Sequence, residues 1–192
     1  LDGDHRYSKF NPAAGLTLRV LPQMTVYGGL SEGNRAPSPI ELGCSDPANP
    51  CVLPNALQAD PPLKQVVSRT VELGVRGSTA GVRWNATAYA TRNRDDVLFI
   101  SNALAAGYFT NFGKTRRRGL ELGASGSSGP LEWGASYSYI QATYQSNACI
   151  VSENNSTRGT SPVCSPQDPS DPTVRLGDDL IAVTPGARMP GV

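Results

Sequence analysis

The sequence lacks several features, and each absence excludes a class of protein. No run of about 18 or more apolar residues occurs, so the sequence predicts no transmembrane helix. It has one histidine and none of the Gly-x-Ser-x-Gly, His-Glu-x-x-His or P-loop motifs, so we expect no enzyme, no catalytic or metal site and no cofactor. A net charge of +1 gives no electrostatic reason to expect nucleic acid as a partner.

Glycine and proline are abundant, with 20 and 16 residues, whereas charged residues make up 17% and aromatic residues 7%. This composition indicates many strands joined by turns rather than a helix bundle. Six segments alternate apolar and polar residues with a period of two, which is typical of strands with one apolar and one polar face. These segments are 10–20, 24–31, 67–76, 82–100, 108–125 and 131–144.

The connections between these segments alternate in length. Short ones lie at 21–23, 77–81 and 126–130, and longer ones at 32–66, 102–107 and 145–180. In an antiparallel up-and-down meander, successive connections lie at opposite ends of the sheet, so every short turn falls at one end. Outer-membrane β-barrels have this asymmetry, with tight periplasmic turns and long extracellular loops. Loops of about 35 residues are uncommon in compact soluble domains. We therefore predict an all-β meander that forms part of a transmembrane barrel.

One hairpin resembles another when the sequence is shifted by 49 residues. Glu72-Leu73-Gly74 then falls on Glu121-Leu122-Gly123, and Trp84 falls on Trp133. Each copy consists of a strand, a tight turn and a strand, with tryptophan near the start of the returning strand. We interpret Trp84 and Trp133 as part of an aromatic girdle at the periplasmic interface. The alternative is that each anchors the core of a soluble hairpin.

The four cysteines fall into two local pairs, Cys44 with Cys51 and Cys149 with Cys164. Each pair brackets a segment rich in proline, serine or asparagine, which favours two loop-closing disulfides in an oxidising compartment. Free thiols in a cytosolic protein are one alternative. A zinc site is another, but no Cys-x-x-Cys spacing occurs and His5 is far away in the sequence.

Three charged residues lie at the polar positions of the alternating pattern in their strands, which we call the polar parity: Glu72, Arg76 and Glu121. In a barrel this parity faces the lumen, where water and an enclosed plug can satisfy the charges, so these residues are candidates for plug contact. On the lipid face a basic residue at mid-bilayer would cost about 2–4 kcal/mol. Arg69 lies on the apolar parity, and a position near the lipid headgroups is its only interpretation.

A mixed-charge cluster follows the apolar part of the fourth segment. As an extracellular extension of that strand, it is a candidate for ligand binding. In the basic run at 116–118, alternation sends the first and third arginines to one face and the second to the other. The ligand-loop candidates are Arg92, Arg94, Asp95 and Asp96.

Two stretches resemble TonB-dependent outer-membrane receptors. Residues 31–42, Ser-Glu-Gly-Asn-Arg-Ala-Pro-Ser-Pro-Ile-Glu-Leu, resemble the family's Ser-x-Gly-Phe-Arg-Ala-Pro-x-x-x-Glu-Leu signature, with Asn34 where phenylalanine is usual. Residues 111–121 are similar to its Asn-x-Gly…Gly-x-Glu strand, and residues 185–191 to the start of the following strand. The resemblance covers nearly the whole chain.

The resemblance implies a 22-stranded barrel closed by an N-terminal plug, in the outer membrane of a Gram-negative bacterium. It implies uptake of a scarce ligand, most often a ferric siderophore, driven by the TonB complex through the plug. Outer-membrane lipid and lipopolysaccharide would be further partners. The chain starts without methionine or signal peptide and stops within an apparent new element. We therefore expect residues 1–192 to be a partial barrel of six strands and the start of a seventh, without the plug.

Two other functions stay open from the sequence. One is a passive porin or structural barrel with an open pore. The other is a secreted, soluble β-sandwich that acts as a binding module or adhesin.

Overall fold

In the computed structural model, residues 5–46, 48, 51, 63–101, 106–152, 155–171, 176, 177 and 179–189 are described. They form the elements β1 (Ala13–Leu21), β2 (Met24–Arg35), α1 (Pro39–Gly43), β3 (Val66–Thr79), β4 (Val82–Ser101), β5 (Gly107–Ser128), β6 (Leu131–Tyr144), β7 (Ala148–Val151) and β8 (Leu180–Val183). The first six strands make one antiparallel sheet in chain order, and β7 pairs with β8 in a second sheet. This confirms the predicted all-β meander. No helix in the described ranges is long and apolar enough to cross a membrane.

The strands extend further into the short connections than the sequence indicates. Gly77 and Gly126, predicted as turn residues, lie within strands and pair with Trp84 and Trp133. The turns therefore contain only two residues each. At the β3–β4 turn, Ala80 and Gly81 have φ of 51° and 79°, which is the geometry of a type I′ hairpin that matches the twist of the strands.

One face of the sheet is apolar across all six strands. One cross-strand row holds Val26, Val75, Ala86, Leu122 and Tyr137, and the neighbouring rows repeat this character. These side chains are not covered by the rest of the described chain, since Leu122 is 40% exposed and Tyr137 is 57% exposed. We call this surface the apolar face. A soluble sandwich would bury it against a second layer.

The opposite surface, which we call the polar face, carries threonine, serine, asparagine and charged residues. Its row through the middle of the sheet is Thr17, Tyr27, Gly74, Thr87, Glu121 and Ser138. Both faces follow from the period of two along each strand.

A small hydrophobic core lies at the end of the sheet that carries the long connections. It joins Phe112 of β5, Ala142 and Tyr144 of β6, and Val183 and Met189 from the last part of the chain. Ala142 and Tyr144 share the parity of Ser138, so this core lies on the polar face. The last connection therefore folds over that face rather than over the apolar one.

Candidate functional site

Tyrosine rings lie flat over glycines on the polar face. The Tyr27 ring covers Gly74 of the neighbouring strand. Its hydroxyl shares a 2.6 Å hydrogen bond with the Thr87 hydroxyl, two strands away. The Arg76 guanidinium stands 5.7 Å above the ring centroid, which is within cation–π range. Glycine leaves space for the ring, and the ring in turn positions Arg76 on the open side of the face.

Glu72 and Glu121 lie on the same polar face as Arg76. Glu72 shares its row with Gly29 and Tyr89. Among the described residues, no ion pair involves Glu72, Glu121 or Arg76. The face therefore presents charges that this part of the chain leaves available to a further segment.

Trp84 and Trp133 lie on the apolar face, near the end of the sheet that carries the short turns. Each indole ring stacks on the glycine directly across the hairpin, Trp84 on Gly77 and Trp133 on Gly126. The Trp84 ring N–H donates to the Thr79 hydroxyl at 3.4 Å. Trp133 remains 40% exposed, so it does not anchor a buried core in the described structure.

The mixed-charge cluster on β4 is divided between the two faces. Arg92 and Arg94 are on the apolar-face parity and are exposed. A bulge at Asp95, which has a φ of 52°, reverses the alternation. Asp96 consequently turns toward the polar face, where it is 7% exposed. The four residues therefore do not form one patch, and their role in ligand binding stays a prediction.

Asp96 instead organises a buried polar centre. Its carboxylate accepts hydrogen bonds from the Asn93 amide at 3.1 Å and from the Thr115 hydroxyl at 2.5 Å. The Arg117 guanidinium lies 3.6 Å away. The Asn93 side-chain oxygen also accepts from the Ser68 hydroxyl at 2.9 Å, so the centre links β3, β4 and β5.

Residues 116 and 118 lie on the other face from residue 117, which confirms the prediction from alternation.

The motif in residues 31–42 forms a clasp between β2 and α1. The Arg35 guanidinium donates two hydrogen bonds to the Glu41 carboxylate, at 2.6 and 2.9 Å. Glu41 also accepts from the backbone N–H of Ser38, whose hydroxyl caps the helix in return. Burial alone would raise the pKa of the Glu41 carboxyl, but the hydrogen bonds from Arg35 and Ser38 outweigh it and hold that pKa below its ordinary value of 4.5.

The β2–β3 connection is closed by a disulfide and attached to β5. Cys44 and Cys51 are bonded and fully buried. Cys51 exchanges two backbone hydrogen bonds of 2.8 Å with Gly107, and the Phe109 N–H donates to the Cys44 carbonyl. This long loop therefore rests on the β4–β5 hairpin as an added strand-like contact.

Asn111 makes a second attachment of the same loop. Its side-chain oxygen accepts from the Lys64 N–H at 2.8 Å, and its amide donates to the Lys64 carbonyl at 3.0 Å. The same amide donates to the Asp95 carbonyl at 2.8 Å. The side chain therefore substitutes for a backbone partner and joins three segments. Gly113 lies two residues later with a φ of 112° opposite the bulge, a conformation that favours glycine.

A disulfide also closes the last connection. Cys149 at the start of β7 is bonded to Cys164. All four cysteines are thus in disulfides, as predicted, so they form no zinc site and no free thiol remains. Residues 186–189 run along β6, where Met189 donates to the Ala142 carbonyl and Arg188 forms a bridge with Thr143. In the described ranges, no cluster of three or more histidine, cysteine or acidic residues could hold a metal ion.

Four structural features were not predicted from the sequence: helix α1, the β7–β8 sheet, the Asn111 attachment and the Asp96 centre. The Ser38-x-x-Glu41 capping box, followed by the apolar part of the motif, is a helix-start signal and would have found α1. No local pattern marks the Asn111 attachment or the Asp96 centre, because both depend on the bulge and on cross-strand register.

Comparisons with known proteins agree with this arrangement. A family model described as TonB dependent receptor-like, beta-barrel matches residues 1–168. Among solved structures, the FrpB iron transporter from Neisseria meningitidis (F3-3 variant) is 20% identical, with a TM-score of 0.51, over 70% of this chain and 20% of its own. The copper transporter OprC is 22% identical, with a TM-score of 0.56, over 68% of this chain and 20% of its own.

The chain thus spans about one fifth of the length of these solved structures. At this level of identity the likeness concerns the fold alone. The family model rests on most of the sequence, and the family consists of receptors rather than enzymes. The chain belongs to the TonB-dependent receptor-like β-barrel family.

Proposed function

We propose that this chain is part of an outer-membrane receptor that takes up a scarce nutrient, a ferric siderophore, with energy from TonB. The observation that carries the proposal is the pair of opposite faces on one sheet. The apolar face is uncovered across six strands, whereas the polar face bears charges without partners in the described chain. Lipid outside the barrel would cover the apolar face, and water or a plug inside it would solvate or pair the charges of the polar face.

In this proposal the apolar face contacts outer-membrane lipid. Trp84 and Trp133 then form a girdle at the periplasmic interface, because they lie next to the two-residue turns. The long connections lie at the extracellular end. The contacts of residues 186–189 with β6 support a seventh strand at that edge, and the family resemblance supports closure into 22 strands with a plug domain.

The polar face would contact the plug. Glu72, Arg76 and Glu121 are the candidates for this contact, since they project from one surface, the first two from β3 and the third from β5. The contact with the Tyr27 ring orders the Arg76 side chain. Binding of a partner by Arg76 would therefore cost little further side-chain entropy.

The two disulfide-closed connections would form part of the ligand-facing surface. The first is attached to β5 by backbone hydrogen bonds of Cys44 and Cys51, and the second is attached to the sheet at Gln145 and at residues 186–189. Of the two structural neighbours, FrpB is described as an iron transporter and OprC as a copper transporter. A metal-carrying ligand is therefore the substrate class we propose, and a ferric siderophore is the specific form.

A transport experiment tests the proposal. The full-length protein is expressed in a Gram-negative strain without ferric-siderophore receptors, and uptake of radiolabelled ferric siderophores is measured with and without TonB. Saturable uptake that requires TonB is expected. Uptake independent of TonB would indicate a passive pore, and absence of the protein from the outer-membrane fraction would indicate a soluble binding module.

Epitope insertion tests the orientation in the same cells. A tag at Ala48, in the β2–β3 connection, should bind antibody on intact cells. A tag between Ala80 and Gly81 is the matched control and should bind only after permeabilisation. Equal labelling of both tags on intact cells would contradict the proposed orientation.

A further inference from the structure

Three arginines surround a concave part of the polar face, at the end of the sheet with the short turns. Arg19 and Arg76 lie in one cross-strand row, on either side of Thr25. Arg83 lies one polar-face row nearer the turns, because it is two residues before Asn85, which pairs with Arg76. All three arginines are exposed. We call the concavity that they surround the arginine bowl.

The floor of the arginine bowl consists of small polar side chains. The bowl has a volume of about 860 Å³, and the described residues that line it include no carboxylate. Gly123 leaves space for the Asn85 side chain, whose oxygen would lie 2.5 Å from an added Cβ. Hydroxyl and amide groups of the floor can donate hydrogen bonds to an anion, in addition to the guanidinium groups. These polar side chains are Thr25, Ser78, Asn85, Ser125 and Ser136.

The positive charge of the arginine bowl is not neutralised by the described part of the chain. None of its ion pairs involves Arg19, Arg76 or Arg83. The Tyr27 ring orders Arg76 without removing its charge. Glu72, the one acidic residue of β3, is four residues from Arg76, so the two Cα atoms are about 13 Å apart. A concavity lined by charges of one sign raises the local concentration of ions of the opposite sign.

The arginine bowl lies at the height of Trp84 in the sheet. Trp84 pairs with Gly77, which lies between Arg76 and Ser78 in β3. In the proposed orientation this height is the periplasmic end of the lumen, where a substrate would leave the barrel. The bowl is therefore at the opposite end of the sheet from the two disulfide-closed connections.

A compact anion fits the arginine bowl better than a protein segment does. The volume of the bowl is within the range of small-molecule sites, about 300–1,000 Å³. A protein segment laid along the polar face would also meet Glu72 and Glu121, which lie on that face beyond the bowl. The bowl itself presents positive charge only. Guanidinium groups bind carboxylates through two parallel N–H donors, which favours an anion with carboxylate groups.

We propose that the arginine bowl binds a small anion with two or more carboxylate groups, such as the chelating part of a metal-carrying substrate, before it leaves the lumen. The inference rests on the proposed function, because it requires that the polar face line an aqueous interior. It narrows the proposed substrate class to anionic chelates.

A thiol at the floor of the arginine bowl tests the site in the full-length receptor. S136C is purified in mild detergent with both native disulfides intact, and is treated with an anionic or a cationic methanethiosulfonate. Each rate is divided by the rate of the same reagent with a small free thiol. We expect the anionic reagent to react about tenfold faster than the cationic one, because of the positive potential of the bowl. Equal rates would overturn the inference.

Citrate is the probe for the anion. Protection of S136C is measured with uncharged methyl methanethiosulfonate at constant ionic strength, so that electrostatic attraction of the reagent does not contribute. Citrate should slow the modification saturably, and acetate at three times the concentration should not. An equal effect of acetate would show that the bowl does not select a multivalent anion. A thiol that reacts with these reagents only after unfolding would show that a protein segment covers the bowl. Either outcome would overturn the inference.

Two triple variants in the S136C protein locate the site. R19Q/R76Q/R83Q should abolish both the preference for the anionic reagent and the protection by citrate. R6Q/K114Q/R188Q removes the same charge from exposed side chains at the end with the long connections, and should leave both unchanged. Equal loss in the two variants would contradict the site.

A double variant keeps the test available if the first triple variant does not fold. R19Q/R83Q retains the contact between Arg76 and Tyr27. It should lose part of the preference and part of the protection, and an unchanged response would contradict the site.

The outcome for the arginine bowl is separate from that of the transport experiment. Absence of TonB-dependent uptake by the native receptor would contradict the proposed function, whatever the reactivity of S136C. A receptor that takes up ferric siderophores with TonB, but gives equal rates at S136C, would contradict the arginine bowl alone.

Discussion

Arg35 and Glu41 form a two-point ion pair, with hydrogen bonds of 2.6 and 2.9 Å, across the boundary between β2 and α1. The same carboxylate accepts the Ser38 N–H and so completes the helix cap. The most specific part of the family signature is therefore a structural clasp that fixes the direction in which the β2–β3 connection leaves the sheet.

Replacement of Glu41 by glutamine should loosen this clasp. E41Q keeps the shape of the side chain but removes the charge, so the paired interaction with Arg35 is lost. We expect faster hydrogen exchange at the amides of residues 40–43, by about fivefold to tenfold, as for the loss of about 1 kcal/mol. D168N, a matched change of a half-buried carboxylate in the last connection, should leave these amides unaffected. Unchanged exchange in E41Q would show that the cap does not depend on the ion pair.

Acidification should loosen the clasp in the native protein. The pKa of Glu41 is lower in the folded state than its ordinary value of 4.5. Its stabilising contribution is therefore complete above about pH 4.5 and is lost as the pH falls through the lower, folded-state pKa. Exchange at residues 40–43, corrected for intrinsic rates, should accelerate below pH 4.5. In E41Q this acceleration should be absent, and its persistence there would assign the effect to another group.

Ala80 is the residue to change for a more stable turn. It has a φ of 51° in the β3–β4 turn, where an L-residue with a Cβ costs about 1–2 kcal/mol. A80N should raise the free energy of unfolding by about 1 kcal/mol, because asparagine is favoured in type I′ turns. The reciprocal control is G81A, at a φ of 79°, which should be destabilising. Urea-induced unfolding of the refolded barrel in detergent measures both. Equal stability of A80N and the native protein would argue against strain at this turn.

The stacked pairs of tryptophan and glycine should behave as coupled units. A Cβ at Gly77 would lie 2.6 Å from the Trp84 ring and 2.6 Å from the Gln23 carbonyl. G77V should destabilise the barrel by about 1–3 kcal/mol through overpacking. W84L leaves more space, so the double variant G77V/W84L should lose less than the sum of the single changes. G126V is the matched control, because the added Cβ would lie 3.1 Å from the Trp133 ring, and it should cost less than G77V. Strict additivity at positions 77 and 84 would contradict the stacking.

The face of each residue could be predicted from the sequence wherever alternation was unbroken. Leu73, Trp84 and Leu122 fall on one face and Glu72 and Arg76 on the other, because the period of two leaves no freedom once the strand is known. The strand ends were less well predicted. Gly77 and Gly126 read as turn residues, although their small size is what allows an indole ring to cover the paired strand.

The environment of Asp96 could not be predicted, for a physical reason. Counting from Asn93, strict alternation sends Asp96 to the apolar face. The bulge at Asp95 adds one residue to β4 without one on β5, so Asp96 reaches the polar face beside Thr115. A bulge leaves no mark in apolar and polar patterning when its neighbours are all charged. The Asn111 attachment depends on that same displaced backbone.

The chain-order sheet has a consequence for how such a barrel assembles. Within the described six-stranded sheet, each strand from β1 to β6 pairs with its neighbours in sequence, so the sheet can grow by adding one hairpin at a time to an edge that is already formed. The pairing of each strand then requires no segment that is distant in the sequence. The hydrogen bonds of residues 186–189 along β6 resemble the first step of one more such addition, in which the exposed edge of β6 acts as the template for an incoming strand.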